Sequence, residues 1–192
     1  MKNDLQKILI EIALKVAKEG KGCLLVIEKN PVKYSPLLEQ DIKPFSVFEF
    51  PRRIQALSTI DGALIISPEG ILKNYAVLIE ETKAMNGKGA RHSAGMTASK
   101  NGNTVILASE EDKKVRIFEN GIIIMEIDSL SKDIENKVPE AINILESIGA
   151  GSLATIGIGV LAPSLGIVPT AGIIVFGSAY YLINLIKKGI KR

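Results

Sequence analysis

From Ser147 to Ile186 the chain runs for 40 residues without a charged side chain. A stretch this long and this apolar is the usual sign of membrane contact, the alternative being a partner surface that covers it in a soluble assembly. Only Lys187, Lys188, Lys191 and Arg192 carry charge after it. The chain has 24 basic and 21 acidic residues. With those four set aside, residues 1–146 hold 20 basic and 21 acidic ones, a net charge of −1. The formal +3 is therefore a property of the last six residues. No basic stripe covers the body, which excludes nucleic acid as the partner that the charge balance points to.

The gap divides the chain into a charged body, 1–146, and an apolar tail, 147–192. One cysteine, Cys23, excludes an intrachain disulfide framework. The N-terminus is not a secretory signal, because Asp4, Lys7, Glu11 and Lys15 interrupt its apolar residues. The body is expected in the cytoplasm.

Leu5, Ile8, Leu9, Ile12 and Val16 fall at three- and four-residue spacing, which predicts an amphipathic helix over 4–19, ended by Gly20 and Gly22. Cys23–Ile27 reads as a buried strand, with Cys23 a small core residue. Four prolines make 30–53 a loop-rich stretch with one short strand at Ser46–Phe50. A short helix is predicted through Arg53–Leu57 and strands at Ala63–Ser67, Thr104–Ala108, Val115–Glu119 and Ile122–Ile127. Asn120-Gly121 is a two-residue hairpin signal. A glycine-rich basic loop, Met85–Ser93, leads into a helix predicted over Ala94–Lys100. A polar-faced helix is predicted over 133–146. Mixed helices and strands predict an α/β body with a partly antiparallel sheet.

Three pieces of the body could act together. Asp61 precedes Gly62 and a buried strand. The loop Gly87–Ser93 combines glycines with Lys88, Arg91 and His92. Ser109-Glu110-Glu111 follows another strand. Backbone N–H groups at a helix start hold anions, and arginine adds a bidentate charge. A carboxylate at a strand end can hold a divalent cation and orient a hydroxyl. These are the parts of metal-assisted phosphoryl or nucleotidyl transfer. Taken singly, Asp61-Gly62 is also a common turn, Glu110-Glu111 a solvated one, and His92 a structural residue. Spacing alone reaches only a nucleotide- or phosphate-binding domain.

In order, Gly22–Ile27, Asp61–Ile66, Gly89–Ala94, Val105–Glu111 and Val115–Gly121 resemble the diadenylate cyclase (DAC) domain family, which makes cyclic di-AMP from two ATP. The match covers roughly residues 22–127. The resemblance implies that Asp61 binds a divalent metal, Mn²⁺ or Mg²⁺, and helps activate a ribose 3′-hydroxyl. Glu110 is the second carboxylate near the metal, with Glu111 as the fallback. Gly62 and Ala63 let the nucleotide approach the backbone, and Tyr75 and Ala76 lie near the adenine. Arg91 and His92 hold the triphosphate, with Lys88, Gly89, Ala90 and Ser93 beside them, and Ser109 completes the strand-end motif. Two copies must face each other, so a homodimer is implied. Family members often read Gly-Thr-Arg-His-Arg where this chain has Ala90 and Ser93. That departure keeps a second possibility open, a catalytically weak membrane-tethered module that senses ATP or cyclic di-AMP. A third is a membrane scaffold in which the body only oligomerises.

Pro163 to Pro169 break the tail into two apolar halves. Val168–Ile186, 19 residues, would reach about 28 Å as a helix, close to a hydrocarbon thickness. Ile148–Ala162 is shorter, and Ser147, Gly151, Thr155 and Gly159 form a small-residue stripe suited to close helix contact. The tail is expected to be a helical hairpin in the cell membrane that contacts lipid and returns its basic end to the cytoplasm.

Overall fold

The continuous apolar run Cys23–Ile27 forms β1 and lies in the middle of the sheet, with all five residues buried. Such a run needs neighbours on both edges and both faces. The computed structural model describes residues 2–82, 89–136, 138–139, 142–143, 168–170 and 173–175. β4 (Ala63–Ile66) pairs with β1 in parallel, and β6 (Thr104–Ala108) pairs with its other edge antiparallel. Around them the strand order is β2-β5-β4-β1-β6-β7-β8-β10-β9, with β2 Tyr34–Pro36, β5 Ile71–Ile79, β7 Lys114–Glu119 and β8 Ile122–Asp128. A two-residue β3 (Phe45–Ser46) also pairs with β5. Among the described strands only β1 and β4 pair in parallel, so the sheet is mixed and largely antiparallel, as the sequence predicts.

The pleat separates two cores. Cys23, Leu25 and Ile27 join the cluster built with α1 (Lys2–Lys18) and α2 (Pro51–Ser58). Leu24 and Val26 face the other cluster, with Ala98 of α3 (Ala90–Ser99) and Phe118 of β7. Each fully buried Leu or Ile contributes about 1.5–3 kcal/mol relative to exposure. α1 is buried on more sides than its spacing implies: Ile10, Ala13, Leu14 and Ala17 are also inaccessible. The cause is a second cover. Ile134, Val138 and Ile142, spaced four apart on helical residues, join the same cluster, and Lys18 bonds Glu135 at 2.9 Å. Cys23 is the core residue expected of it, and burial pushes its thiol up to about 12.

Four elements differ from the sequence reading. The strand expected at Ser46–Phe50 is cut to Phe45–Ser46, because Phe50 N–H turns back to the Ser46 carbonyl and Pro51 starts α2. β2 forms inside the proline-rich stretch, at the sheet edge, where Pro36 is tolerated. α3 begins at Ala90 rather than Ala94, since Gly89 adopts the extended cap conformation, and Arg91, His92 and Ser93 therefore lie on a helical first turn.

The fourth difference lies in the tail. Val168–Thr170 and Ile173–Val175 are strands β9 and β10, not the start of the helix expected over 168–186. β10 pairs antiparallel with β8, Ile174 opposite Glu126, and β9 pairs with β10. The open edge of β8 offers unpaired N–H and C=O groups, and Val168, Thr170, Ile173, Ile174 and Val175 are β-branched. No described helix is long and apolar enough to cross a membrane. The rest of the expected hairpin lies outside the described residues.

Candidate active site

Asp61 and Gly62 make the turn that feeds β4. The Asp61 carboxylate accepts a hydrogen bond from the Gly62 N–H at 3.0 Å. Its side chain is otherwise 87% exposed. Gly62 has φ +97°, and a Cβ there would sit 2.8 Å from Val77 N and O and 2.9 Å from the Ala76 carbonyl carbon. Both facts require glycine. Gly62→Ala is expected to destabilise the fold by about 2–4 kcal/mol, from the left-handed backbone and the backbone clash. Chemical denaturation measures it, and a loss under about 1 kcal/mol would mean that β5 gives way freely.

The backbone that crowds Gly62 is a bulge in β5. Ala63 pairs with Val77 but Ile65 pairs with Asn74, so Tyr75 and Ala76 sit in a register shift, with Ala76 at φ +45°. The structure thus brings Gly62, Ala63 and Ala76 together, with Tyr75 in the same bulge, half-buried and packed on the α1 side.

α3 aims its first turn at the same place. Arg91 Nη2 bonds Asp61 Oδ1 at 3.2 Å, and Nη1 lies 3.5 Å from Glu110 Oε2. One guanidinium therefore spans two carboxylates that are 49 positions apart in sequence, at the ends of β4 and β6. Arg91 Nε is the one buried side-chain nitrogen or oxygen among the described residues with no hydrogen-bond partner. Gly89 caps α3 without a side-chain hydrogen bond, so backbone N–H groups face outward beside that arginine. The corner combines a fixed cation, helix-start donors and two carboxylates. It can hold an anionic group and a hard cation side by side.

Of the two neighbouring carboxylates it is Glu110 that pairs with Arg91, its Oε2 lying 3.5 Å from Nη1. Ser109 is half-buried and ties the end of β6 to β7, its N–H bonding the Lys114 carbonyl at 2.9 Å. His92 lies elsewhere on the first turn. It is 7% exposed and edge-on to Phe118, with ring centroids 5.1 Å apart. Ser93 is buried, and its hydroxyl bonds back to the Gly89 carbonyl at 3.4 Å. Gly89 and Ala90 are exposed, and Lys88 lies outside the described residues.

Three supports escaped the sequence reading. Gly22 leaves room for Arg91: a Cβ there would meet Arg91 Nη1 at 2.7 Å, so the guanidinium would have to shift. Its place just before β1 was the available signal. Asp112 pairs with Arg116 behind the Glu110 turn, at a four-residue spacing that was visible but had no known target. Gln40 has no motif at all. Its partners lie on β5, 35 positions away.

Residues 11–123 match the model of the DAC family, described as DisA bacterial checkpoint controller nucleotide-binding. The chain is similar to a diadenylate cyclase of Methanocaldococcus jannaschii, 31% identical over 138 residues, or 64% of this chain and 45% of that protein. It is also similar to a diadenylate cyclase of Haloferax volcanii, 29% identical over 138 residues, covering 62% of this chain and 51% of that one. The chain thus spans about half the length of the curated relatives it matches. Among solved structures it is similar to DacA from Staphylococcus aureus at 19% identity and TM-score 0.47, over 75% of this chain and 93% of that one.

Proposed function

Since the chain belongs to the DAC family, whose model it matches over residues 11–123, we propose that it is a diadenylate cyclase that condenses two ATP into cyclic di-AMP and two pyrophosphates. One observation carries this reading: Arg91 spans Asp61 and Glu110 beside the Gly62 turn. In the reaction a ribose 3′-oxygen bonds to the α-phosphorus of the facing ATP, and the bond from that phosphorus to the β-phosphate bridging oxygen breaks. Asp61 orients the 3′-hydroxyl and takes up its proton. Gly62 and Ala63, with Tyr75 and Ala76 behind them, form the backbone wall for the adenosine. Arg91, the α3 N–H groups at Gly89 and Ala90, and Lys88 hold the triphosphate. Ser109 fixes the strand end that carries Glu110. The family resemblance adds His92 and Ser93, whose buried positions suit shaping of the first turn.

The donor set fits a hard divalent cation. Asp61 and Glu110 are two carboxylates on one corner, and no three His, Cys, Asp or Glu converge among the described residues. Mg²⁺ or Mn²⁺ commonly uses one or two carboxylates and completes its shell with water and phosphate oxygens. When bound, the cation neutralises phosphate charge and acidifies the attacking hydroxyl. Each ATP supplies one hydroxyl and one leaving group, so two copies of the site must face each other in a homodimer. The tail, 147–192, whose strands β9 and β10 join the body's sheet through β8, is proposed to attach the enzyme to the cytoplasmic face of a membrane, its basic end against anionic headgroups. Recovery of the full chain in the soluble fraction without detergent would remove that part of the proposal.

The test is the full chain in detergent with ATP and Mn²⁺ or Mg²⁺. Cyclic di-AMP and pyrophosphate at a one-to-two ratio support the cyclase. A folded, ATP-binding chain that yields neither favours the second reading, a nucleotide sensor, which the departures at Ala90 and Ser93 motivate.

A further inference from the structure

The bulge in β5 has a dedicated clamp. Where two residues oppose one, the sheet ladder leaves backbone groups unpaired, and buried unpaired groups are costly. The Gln40 carboxamide takes up both groups of Tyr75. Its Nε2 donates to the Tyr75 carbonyl, and its Oε1 accepts from the Tyr75 N–H at 3.3 Å. The same Oε1 accepts from Asn74 Nδ2 at 3.3 Å, and Asn74 Oδ1 accepts from the Tyr34 hydroxyl at 2.8 Å. Leu37 N–H donates to the Ala76 carbonyl at 2.8 Å. Residues 34–40 thus form a strap that closes over the bulge from the sheet edge. Gln40 is half-buried while its neighbours Leu37, Leu38, Glu39 and Asp41 are exposed, so the strap turns this one side chain inward.

The consequence reaches the site through Gly62. The Ala76–Val77 backbone lies against Gly62 so closely that no Cβ would fit between them. A shift of the bulge therefore moves the Asp61–Gly62 turn or opens a gap behind it. We propose that Gln40 is a positioning residue for the nucleotide. It holds the Tyr75–Ala76 bulge in the shape that seats the Asp61–Gly62 turn, and it thereby sets the affinity for ATP without touching the reacting atoms. This rests on the cyclase reading for its ligand, and it adds a residue to which neither the motifs nor the charge pattern points.

The experiment compares the full chain with Gln40→Ala and with Gln40→Glu, which keeps the size and the acceptor but loses the donor to the Tyr75 carbonyl. Loss of one or two hydrogen bonds predicts KM for ATP raised about tenfold in both variants, with kcat within about twofold. Amide exchange at Tyr75 should quicken by a similar factor in Gln40→Ala, which loses the acceptor for the Tyr75 N–H. Glu at this position would behave as wild type if the residue only filled space. Unchanged KM in both variants overturns the proposal, as does a loss confined to kcat. If the wild-type chain makes no cyclic di-AMP, the cyclase reading fails, and calorimetric ATP affinity decides the role of Gln40. A tenfold weaker Gln40→Ala upholds it and equal affinity overturns it. Absence of ATP binding by the wild-type chain overturns both.

Discussion

Asp61→Asn is expected to abolish ring closure, lowering the rate of cyclic di-AMP formation by at least about 10²–10³-fold. The amide keeps the shape of the side chain and its reach toward Arg91. It loses the negative charge that a cation needs and the lone pair that takes the hydroxyl proton. Because Asp61 is largely exposed, the substitution disturbs no packing, and folding should be unaffected. ATP affinity should fall far less than the rate, since Arg91 and the start of α3 remain. The measurement is product formed at saturating ATP and metal, beside an ATP titration of the same variant. A rate within threefold of wild type would remove Asp61 from the chemistry. Wild-type ATP binding in a chain that never makes product would instead place the protein among sensors.

The second large effect is on stability. Arg116 has only 11% of its side chain exposed and serves two carboxylates, bonding Glu126 at 2.8 Å through Nε and gripping Asp112 through both terminal nitrogens. Glu126 has 15% of its side chain exposed and also accepts from Lys114 at 2.6 Å. Arg116→Ala leaves those carboxylates without their main counter-charge, and breaking a buried pair from one side costs about 3–5 kcal/mol. The low end, about 3 kcal/mol, is expected, because Glu126 keeps Lys114 and Asp112 is partly exposed. The denaturation midpoint reports it, and a loss below about 1 kcal/mol would show the network to be solvated.

Acid should reach the same network. Burial raises the Asp112 pKa, but hydrogen bonds from Arg116 and Ser109 and the Arg116 charge outweigh it and hold the group at about 2, against an ordinary 3.8. A depressed folded-state pKa means that the contribution is complete above the ordinary value and is lost as pH falls from about 4 toward 2. Asp112→Asn should flatten the stability curve across that window. An unchanged acid limb would assign acid sensitivity to other carboxylates. Because Asp112 braces the turn that carries Glu110 through Arg116, the same variant should also lower the proposed cyclase activity at neutral pH.

Much of the sheet was legible because its signals are local. Cys23–Ile27 and Thr104–Ala108 are strands with the predicted bounds, their unbroken apolar runs leaving no helical alternative of that length. Asn120 and Gly121 both take positive φ, 53° and 77°, as a two-residue hairpin demands. α3 was placed four residues late because its first turn is polar and its cap is a bare glycine. The burial of α1 exceeded its spacing because the second cover comes from residues more than a hundred positions away. The strands at 168–170 and 173–175 were missed because an apolar run of suitable length fits helix and strand alike, and the free edge of β8 decided the matter.

The sequence by itself determined the charged body, the uncharged tail, the buried strands and the glycine-rich, basic and acidic segments that flank them. Each of these depends on residue type and short-range spacing. Tertiary structure alone decided that Arg91 spans Asp61 and Glu110, that His92 packs on Phe118, and that Gln40 clamps the bulge behind Gly62. Those outcomes depend on strand register and on the approach of α3 to the sheet. Both are set by packing between segments far apart in the chain, and a one-residue slip would turn every such side chain to the other face.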